Sequence, residues 1–291
     1  MTQMSTTDCI LRRVSQRATF PEQLRSGWRR SGSLLGIGFD PLPDHLPDPV
    51  SHDRAGVLRF CLDVADAVGD LACAFKPQFA HFAALGAEEE LATLIRELQL
   101  RFPDVPVILD AKRGDIGSTA ERYAVEAFER YGADAVTVNP YLGPESIKPF
   151  LAYQDRGVIV LCRTSNPDSG WLQDYPAHDP VHLRVARAAA EWNVNGNVML
   201  VTGATYPEQL EAIRDTVGDM ALLVPGIGAQ GGDVDVAVAA GLASNGQGLV
   251  FNTSRAVLYA ASGADYADAA RRVAETLHRR LAAAREACAV T

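Results

Sequence analysis

The chain has 291 residues, of which 47% are hydrophobic and 22% charged, and its formal net charge is -9. That length fits one α/β barrel of about 250 residues with an extra terminal element, and the composition is that of a globular protein with a sizeable core, not of a disordered chain. The acidic balance excludes a broad nucleic-acid or anionic-membrane surface, so an anionic ligand needs a local positive pocket; no apolar run reaches the roughly 18 residues of a membrane helix.

Residues 1–30 are Arg-rich and acid-poor, faintly like a transit peptide, yet no apolar core or small-residue cleavage site follows. We expect instead a short amphipathic helix from Phe20 to Arg30 covering the lower end of the fold, so that 1–32 form an N-terminal extension and 33–291 the catalytic domain. Strand-length apolar runs then follow at Ser33 to Asp40, Leu71 to Pro77, Pro106 to Lys112, Asp134 to Asn139, Gly157 to Arg163, Asn197 to Thr202, Met220 to Gly226 and Gly246 to Asn252. Helical patterns alternate with them, for example Val57 to Val68, Glu88 to Phe102, Ser118 to Tyr131 and Tyr266 to Arg285, with apolar positions three and four residues apart. Near-continuous apolar strands alternating with helices imply a parallel sheet buried on both faces. Eight such units close most naturally into a (β/α)8 TIM barrel, with an open doubly wound sheet as the alternative. No Gly/Ser tract or charge block divides the chain. The five cysteines (Cys9, Cys61, Cys73, Cys162, Cys288) form no C-x-x-C pair and read as small core residues in a reducing, cytoplasmic setting, with no zinc site.

Catalytic groups of a barrel gather at the carboxyl ends of its strands. In Ile108-Leu109-Asp110-Ala111-Lys112, strand alternation places Ile108, Asp110 and Lys112 on one face and Leu109 and Ala111 on the other. The charged face must point into the barrel, because an unpaired charge beneath the helices costs several kcal/mol. Asp115 follows after the turn allowed by Gly114. Asp40 closes the first strand and Lys76 the second, with Gly36, Gly38, Ala72 and Ala74 behind them leaving room in the mouth. An ordinary ion-pair network is the alternative for any one of these residues, but five charges at three consecutive strand ends favour a site. A lysine among carboxylates is held as an ammonium and can act as a positioned acid. Unit charges about 4 Å apart interact by roughly 4 kcal/mol at an effective dielectric near 20, enough to lower the barrier to a carbanion.

After the seventh strand the chain reads Pro225-Gly226-Ile227-Gly228-Ala229-Gln230-Gly231-Gly232, and after the eighth Asn252-Thr253-Ser254-Arg255. These two loops of a barrel commonly form a phosphate site from backbone N–H groups, and Arg255 supplies a bidentate charged contact. The Gly-rich loop alone is usually only a turn; its pairing with an arginine after the next strand strengthens the reading.

Asp110-Ala-Lys112-Arg-Gly-Asp115-Ile116-Gly-Ser-Thr119 resembles the D-x-K-x-x-D-I-x-x-T signature of the orotidine 5'-phosphate decarboxylase family, and the similarity runs from about Gly36 to Arg255. The resemblance implies decarboxylation of orotidine 5'-phosphate without metal, flavin or pyridoxal. By it Lys112 protonates C6 of the pyrimidine, Asp110 lies beside the departing carboxylate, and Asp115 completes the charged chain from the neighbouring subunit of a homodimer. Lys76 and Asp40 match residues at the ribose hydroxyls, Thr119 a threonine that crosses the dimer interface, and Gln230 and Arg255 the phosphate ligands. The segment opened by Thr164-Ser165-Asn166-Pro167 and reaching to about Pro180 resembles the longer bacterial branch, type 2; Ser165 is the expected contact to the pyrimidine edge. Asn139 either lines the pocket or satisfies nearby backbone.

Three rivals remain at this level. Magnesium-dependent sugar-phosphate decarboxylases or aldolases of the same superfamily share the D-x-K-x-x-D core, but resemble one another in an acidic metal ligand where this chain has Lys76. A phosphosugar isomerase needs a base poised near neutrality, and no histidine stands at a strand end; His81 is a few residues past one. A nucleotide-binding protein without activity would not need every charge of the array.

Overall fold

A computed structural model of the chain describes residues 17–226 and 233–289. All the expected strands form: β1 (Leu35–Phe39), β2 (Ala74–Pro77), β3 (Ile108–Arg113), β4 (Ala135–Val138), β5 (Gly157–Arg163), β6 (Val198–Thr202), β7 (Leu222–Pro225) and β8 (Leu249–Thr253). They are parallel, and their order, β2-β1-β8-β7-β6-β5-β4-β3, is sequential around a ring. That order rules out the doubly wound alternative, in which the strand sequence reverses at a switch point. The ring closes between β2 and β3 through two isolated bridges, Phe75 with Val107 and Gln78 with Asp110. The fold is thus a (β/α)8 barrel whose weakest ladder lies at the β2–β3 seam.

Most connecting helices follow their apolar spacing. In Arg54–Val68 the buried side chains Val57, Phe60, Cys61, Val64, Ala65 and Val68 make one stripe, and Asp53 caps the helix by accepting from the Gly56 N–H at 2.7 Å. Two stretches differ from expectation. Between β4 and β5 there are only short turns, Pro140–Leu142, Pro144–Ser146 and Lys148–Leu151, because the prolines at 140, 144 and 149 remove the N–H donors a long helix needs. Strand β8 begins at Leu249, not at Gly246, since Gly246 and Gly248 take φ of 73° and 85° in a turn.

The helix Phe20–Ser31 closes the amino end of the barrel. Trp28 Nε1 donates to the Leu249 carbonyl at 2.8 Å, and Arg30 Nη2 donates to the carbonyls of Gly69 at 2.9 Å and Ala72 at 2.8 Å. Gly27 lies so close to β2 that a Cβ would stand 2.4 Å from the Cys73 carbonyl oxygen. Beneath it Asp134, fully buried, accepts from Arg17 at 2.9 and 3.0 Å, from Gln23 at 3.1 Å, from Gln99 at 3.2 Å and from the Val107 N–H at 2.9 Å.

Removing one partner of so buried a pair leaves the other charge unsolvated. Asp134→Ala is expected to lower the free energy of unfolding by about 3–5 kcal/mol in urea titration, whereas Arg271→Ala, at an exposed ion pair with Asp70, costs at most about 1 kcal/mol.

Candidate active site

The carboxyl ends of the strands open into a cavity of about 510 Å³ whose lining includes Asp40, Lys76, Asp110, Lys112, Ser165 and Arg255. Three cations face two carboxylates there, a locally positive pocket in an acidic chain.

Asp110 is its centre. Strand alternation turns the side chain inward, and it is 6% exposed. Oδ2 accepts from Lys76 Nζ at 2.7 Å and Gln78 Nε2 at 3.0 Å, while Oδ1 accepts from Lys112 Nζ at 2.6 Å and Thr137 Oγ1 at 2.9 Å. Lys76 Nζ also stands 3.9 Å from Asp40 Oδ1, an oxygen with no hydrogen-bond partner of its own. Burial alone opposes the charge on Asp110, but the ammonium groups of Lys76 and Lys112 outweigh it and hold the carboxyl well below the usual range. Burial likewise opposes the charge on Lys76, and the carboxylates of Asp110 and Asp40 outweigh it, raising its pKa. The array therefore keeps its alternating charges.

Lys112 reaches Asp110 by a route that simple alternation does not describe. The register between β3 and β4 breaks between Leu109 and Arg113, and Lys112 has φ of 49°, the one positive value at a non-glycine among the described residues. Such backbone costs about 1–3 kcal/mol and persists only where its surroundings hold it. Thr137 Oγ1 accepts from both the Ala111 N–H at 3.0 Å and the Lys112 N–H at 2.9 Å. The Lys112 side chain remains 46% exposed, at the cavity mouth.

The small residues behind the charges act by close approach. A Cβ on Gly38 would stand 2.0 Å from Ser254 Oγ and 3.0 Å from Asn252 Nδ2, so this glycine admits the end of β8 and does not merely leave open space. Asn252 and Ser254 line the cavity beside Arg255, and Asn252 Oδ1 is buried with no partner.

Opposite, the chain after β5 is held down by Arg163, 1% exposed. Its guanidinium donates to Asp174 at 2.8 and 2.9 Å, bonds Ser169 Oγ, and lies 3.9 Å from the centre of the Tyr206 ring. The anchored segment presents Thr164, Ser165, Asn166 and Gln173 to the cavity.

The remaining expected residues lie elsewhere. Asp115 is half-buried outside the cavity lining and accepts from the Ile116 N–H at 2.8 Å. Thr119 is exposed on the helix Gly117–Val125. Asn139 does not line the cavity; its Oδ1 caps the turn Pro140–Leu142 by accepting from the Tyr141 N–H at 3.0 Å. Gln230 lies outside the described residues. Sequence reasoning passed over Gln78 and Thr137, although Thr137 is the only polar residue in β4 and Gln78 stands two positions after Lys76.

Residues 43–273 match the model of the family described as orotidine 5'-phosphate decarboxylase / HUMPS. The chain belongs to that family. It is similar to proteins named orotidine 5'-phosphate decarboxylase from Ralstonia pickettii, 53% identical over 257 residues with 88% of this chain and 95% of the relative covered, and from Cupriavidus necator, 53% identical over 267 residues with 90% and 98% covered. Among solved structures, Leishmania donovani OMP decarboxylase superposes with a TM-score of 0.80 at 36% identity, covering 92% of this chain and 98% of that one. In this barrel Lys76 stands in β2 and Asp110 and Lys112 in β3, joined by the 2.7 and 2.6 Å contacts to Asp110.

The pKa directions fix a pH dependence. Because Asp110 is more acidic in the folded protein, its contribution to stability is present above the ordinary carboxylate pKa near 3.9 and is lost as pH falls through the lower, folded value; Lys76, raised, contributes below about pH 10.4 and loses that at higher pH. Urea titrations of wild type and Asp110→Asn should differ by a constant amount from about pH 5 to 9, begin to converge below about pH 4, and meet only once the pH has passed the lower, folded pKa of Asp110.

Proposed function

We propose that the chain converts orotidine 5'-phosphate to uridine 5'-phosphate and carbon dioxide, a step of de novo pyrimidine biosynthesis. The observation that carries this reading is the buried carboxylate held between two ammonium groups in the cavity that Arg255 also lines. The bond between C6 and the carboxylate breaks, its electron pair stays on C6, and carbon dioxide leaves. That carbanion is poorly delocalised, and in the absence of an electron-sink cofactor the protein itself stabilises it. Lys112 Nζ, already directed by Asp110, lies against the developing charge and then delivers its proton to C6. Its exposure at the mouth gives the resulting amine access to solvent for reprotonation. Asp110 faces the substrate carboxylate, and Lys76 together with Asp40 takes the ribose hydroxyls.

Ser165 contacts the pyrimidine edge from the segment anchored by Arg163. Arg255 and Gln230 hold the phosphate, and binding energy gained there, remote from C6, is used to order the loops around the reacting carbon. No metal or organic cofactor enters this scheme. An ammonium, Lys76, stands at the end of β2.

The active unit is a homodimer. Asp115 and Thr119 fall outside their own cavity, and between them Ile116 is 51% exposed, an apolar side chain suited to burial against a second copy. From there Asp115 extends the neighbour's charged chain and Thr119 reaches the neighbour's ribose. The setting that suits the chain is the reducing cytoplasm, where Cys61, Cys73 and Cys162, free thiols whose pKa values burial pushes up, stay reduced.

Chelator-treated protein is expected to bleach the orotate chromophore of orotidine 5'-phosphate, while Lys112→Ala and Asp115→Ala are each inactive alone. Mixed, the two variants should regain up to about a quarter of wild-type activity, because half the dimers are mixed and one of their two sites is intact. Turnover only with added magnesium sinks the reading; no regain on mixing sinks the shared site.

A further inference from the structure

Arg113 follows Lys112 directly and turns to the opposite side of β3, into the helix layer. Its guanidinium lies 4.2 Å from the centre of the Phe79 ring and 4.7 Å from that of Tyr123. Two parallel hydrogen bonds join it to Glu126, Nε to Oε2 at 2.9 Å and Nη2 to Oε1 at 3.0 Å. Both side chains are about four-fifths buried, at 18% and 20% exposure. The Arg113 carbonyl accepts from the Asn139 N–H at 2.7 Å, and Arg113 is where β3 regains its pairing with β4, opposite Val138.

Glu126 opens a π-helical turn, Glu126–Arg130, that continues the helix Gly117–Val125. Single π turns recur where a helix must re-aim a side chain at a functional position. Nothing in the decarboxylation scheme uses Glu126, Tyr123 or Phe79, yet all three converge on the residue next to the proton donor.

The left-handed backbone at Lys112 needs both of its flanks held. Thr137 holds the upstream flank through the N–H groups of Ala111 and Lys112. We infer that Arg113 holds the downstream flank: stacked between Phe79 and Tyr123 and paired with Glu126, it is a positioning residue that locks the turn returning the Lys112 ammonium to Asp110. The residue type follows from the chemistry, since only a planar guanidinium stacks on two rings while bonding a carboxylate in two places. The inference rests on Lys112 being the proton donor.

The test compares Arg113→Met, Arg113→Lys and Glu126→Gln with Arg30→Ala, a control at the far end of the barrel, by kcat, KM, affinity for uridine 5'-phosphate and Tm. Arg113→Met is expected to lower kcat about ten- to a hundredfold, as a displacement near 1 Å at a reacting group does, with KM and nucleotide affinity within about threefold. Arg113→Lys should fall between it and wild type, and Arg30→Ala should lose Tm without losing kcat. A kcat for Arg113→Met within about twofold of wild type, or a kcat that falls only as the folded fraction does, overturns the clamp. Should Arg113→Met not fold, Glu126→Gln decides by the same criterion. A wild-type protein without turnover overturns the decarboxylase reading instead. The clamp is then judged on a crystal structure of Arg113→Lys: Lys112 at negative φ upholds it, and Lys112 unmoved overturns it.

Discussion

Asp110 accepts hydrogen bonds from two ammonium groups, an amide and a hydroxyl, and three of these donors come from neighbouring strands or the residues just after them. It also stands at the seam where the barrel has least backbone pairing, since β2 and β3 share only isolated bridges, one of them between Gln78 and Asp110. The bonds from Lys76 and Gln78 therefore do two things at once. They join the edges of the barrel at its mouth, and they deliver to the cavity a carboxylate whose pKa is held well below the usual range. A hydrogen bond to a charged group is worth about 1.5–3 kcal/mol, against about 0.5–1.5 kcal/mol for a neutral one. Charged contacts thus offset the sparse ladder, and the site is part of how the fold closes.

The same carboxylate accounts for the irregularity beside it. An extended Lys112 would continue the strand, whereas the observed turn returns its ammonium to Asp110 at 2.6 Å. The strain of that turn is of the same order as one charged hydrogen bond, so Asp110 alone is not a sufficient anchor. Thr137 on the inner side and the Arg113 cluster on the outer side supply the remainder. On the proposed reading, preorganisation at the reacting carbon follows from contacts on both faces of one strand, and not from the cavity lining alone.

Much of this was legible in the sequence because strand burial is a local property. The apolar runs marked all eight strands, and the inward parity of Asp110 followed from the unsuitability of a charge beneath the helix layer. What escaped depends on contacts between distant residues or on broken periodicity. Thr137 and Gln78 act by bonding a residue 27 and 32 positions away, which no spacing rule detects. Alternation put Lys112 on the correct side, but the backbone gets it there through a register break. Asn139 proved to cap a turn, a role its position before Pro140 suits equally well. Arg163 was read only as the end of a strand, although its burial against Asp174 and Tyr206 anchors the segment carrying Ser165.

The Lys112 ammonium, directed by Asp110, is the proposed acid at C6. Proton transfer at that carbon is directly observable in the reverse sense, because the enzyme that protonates C6 must also exchange the C6 proton of bound uridine 5'-phosphate with deuterium oxide. Nuclear magnetic resonance should show that exchange with wild type and none with Lys112→Ala, even where the variant still binds the nucleotide. Exchange persisting in Lys112→Ala at the wild-type rate would contradict the account.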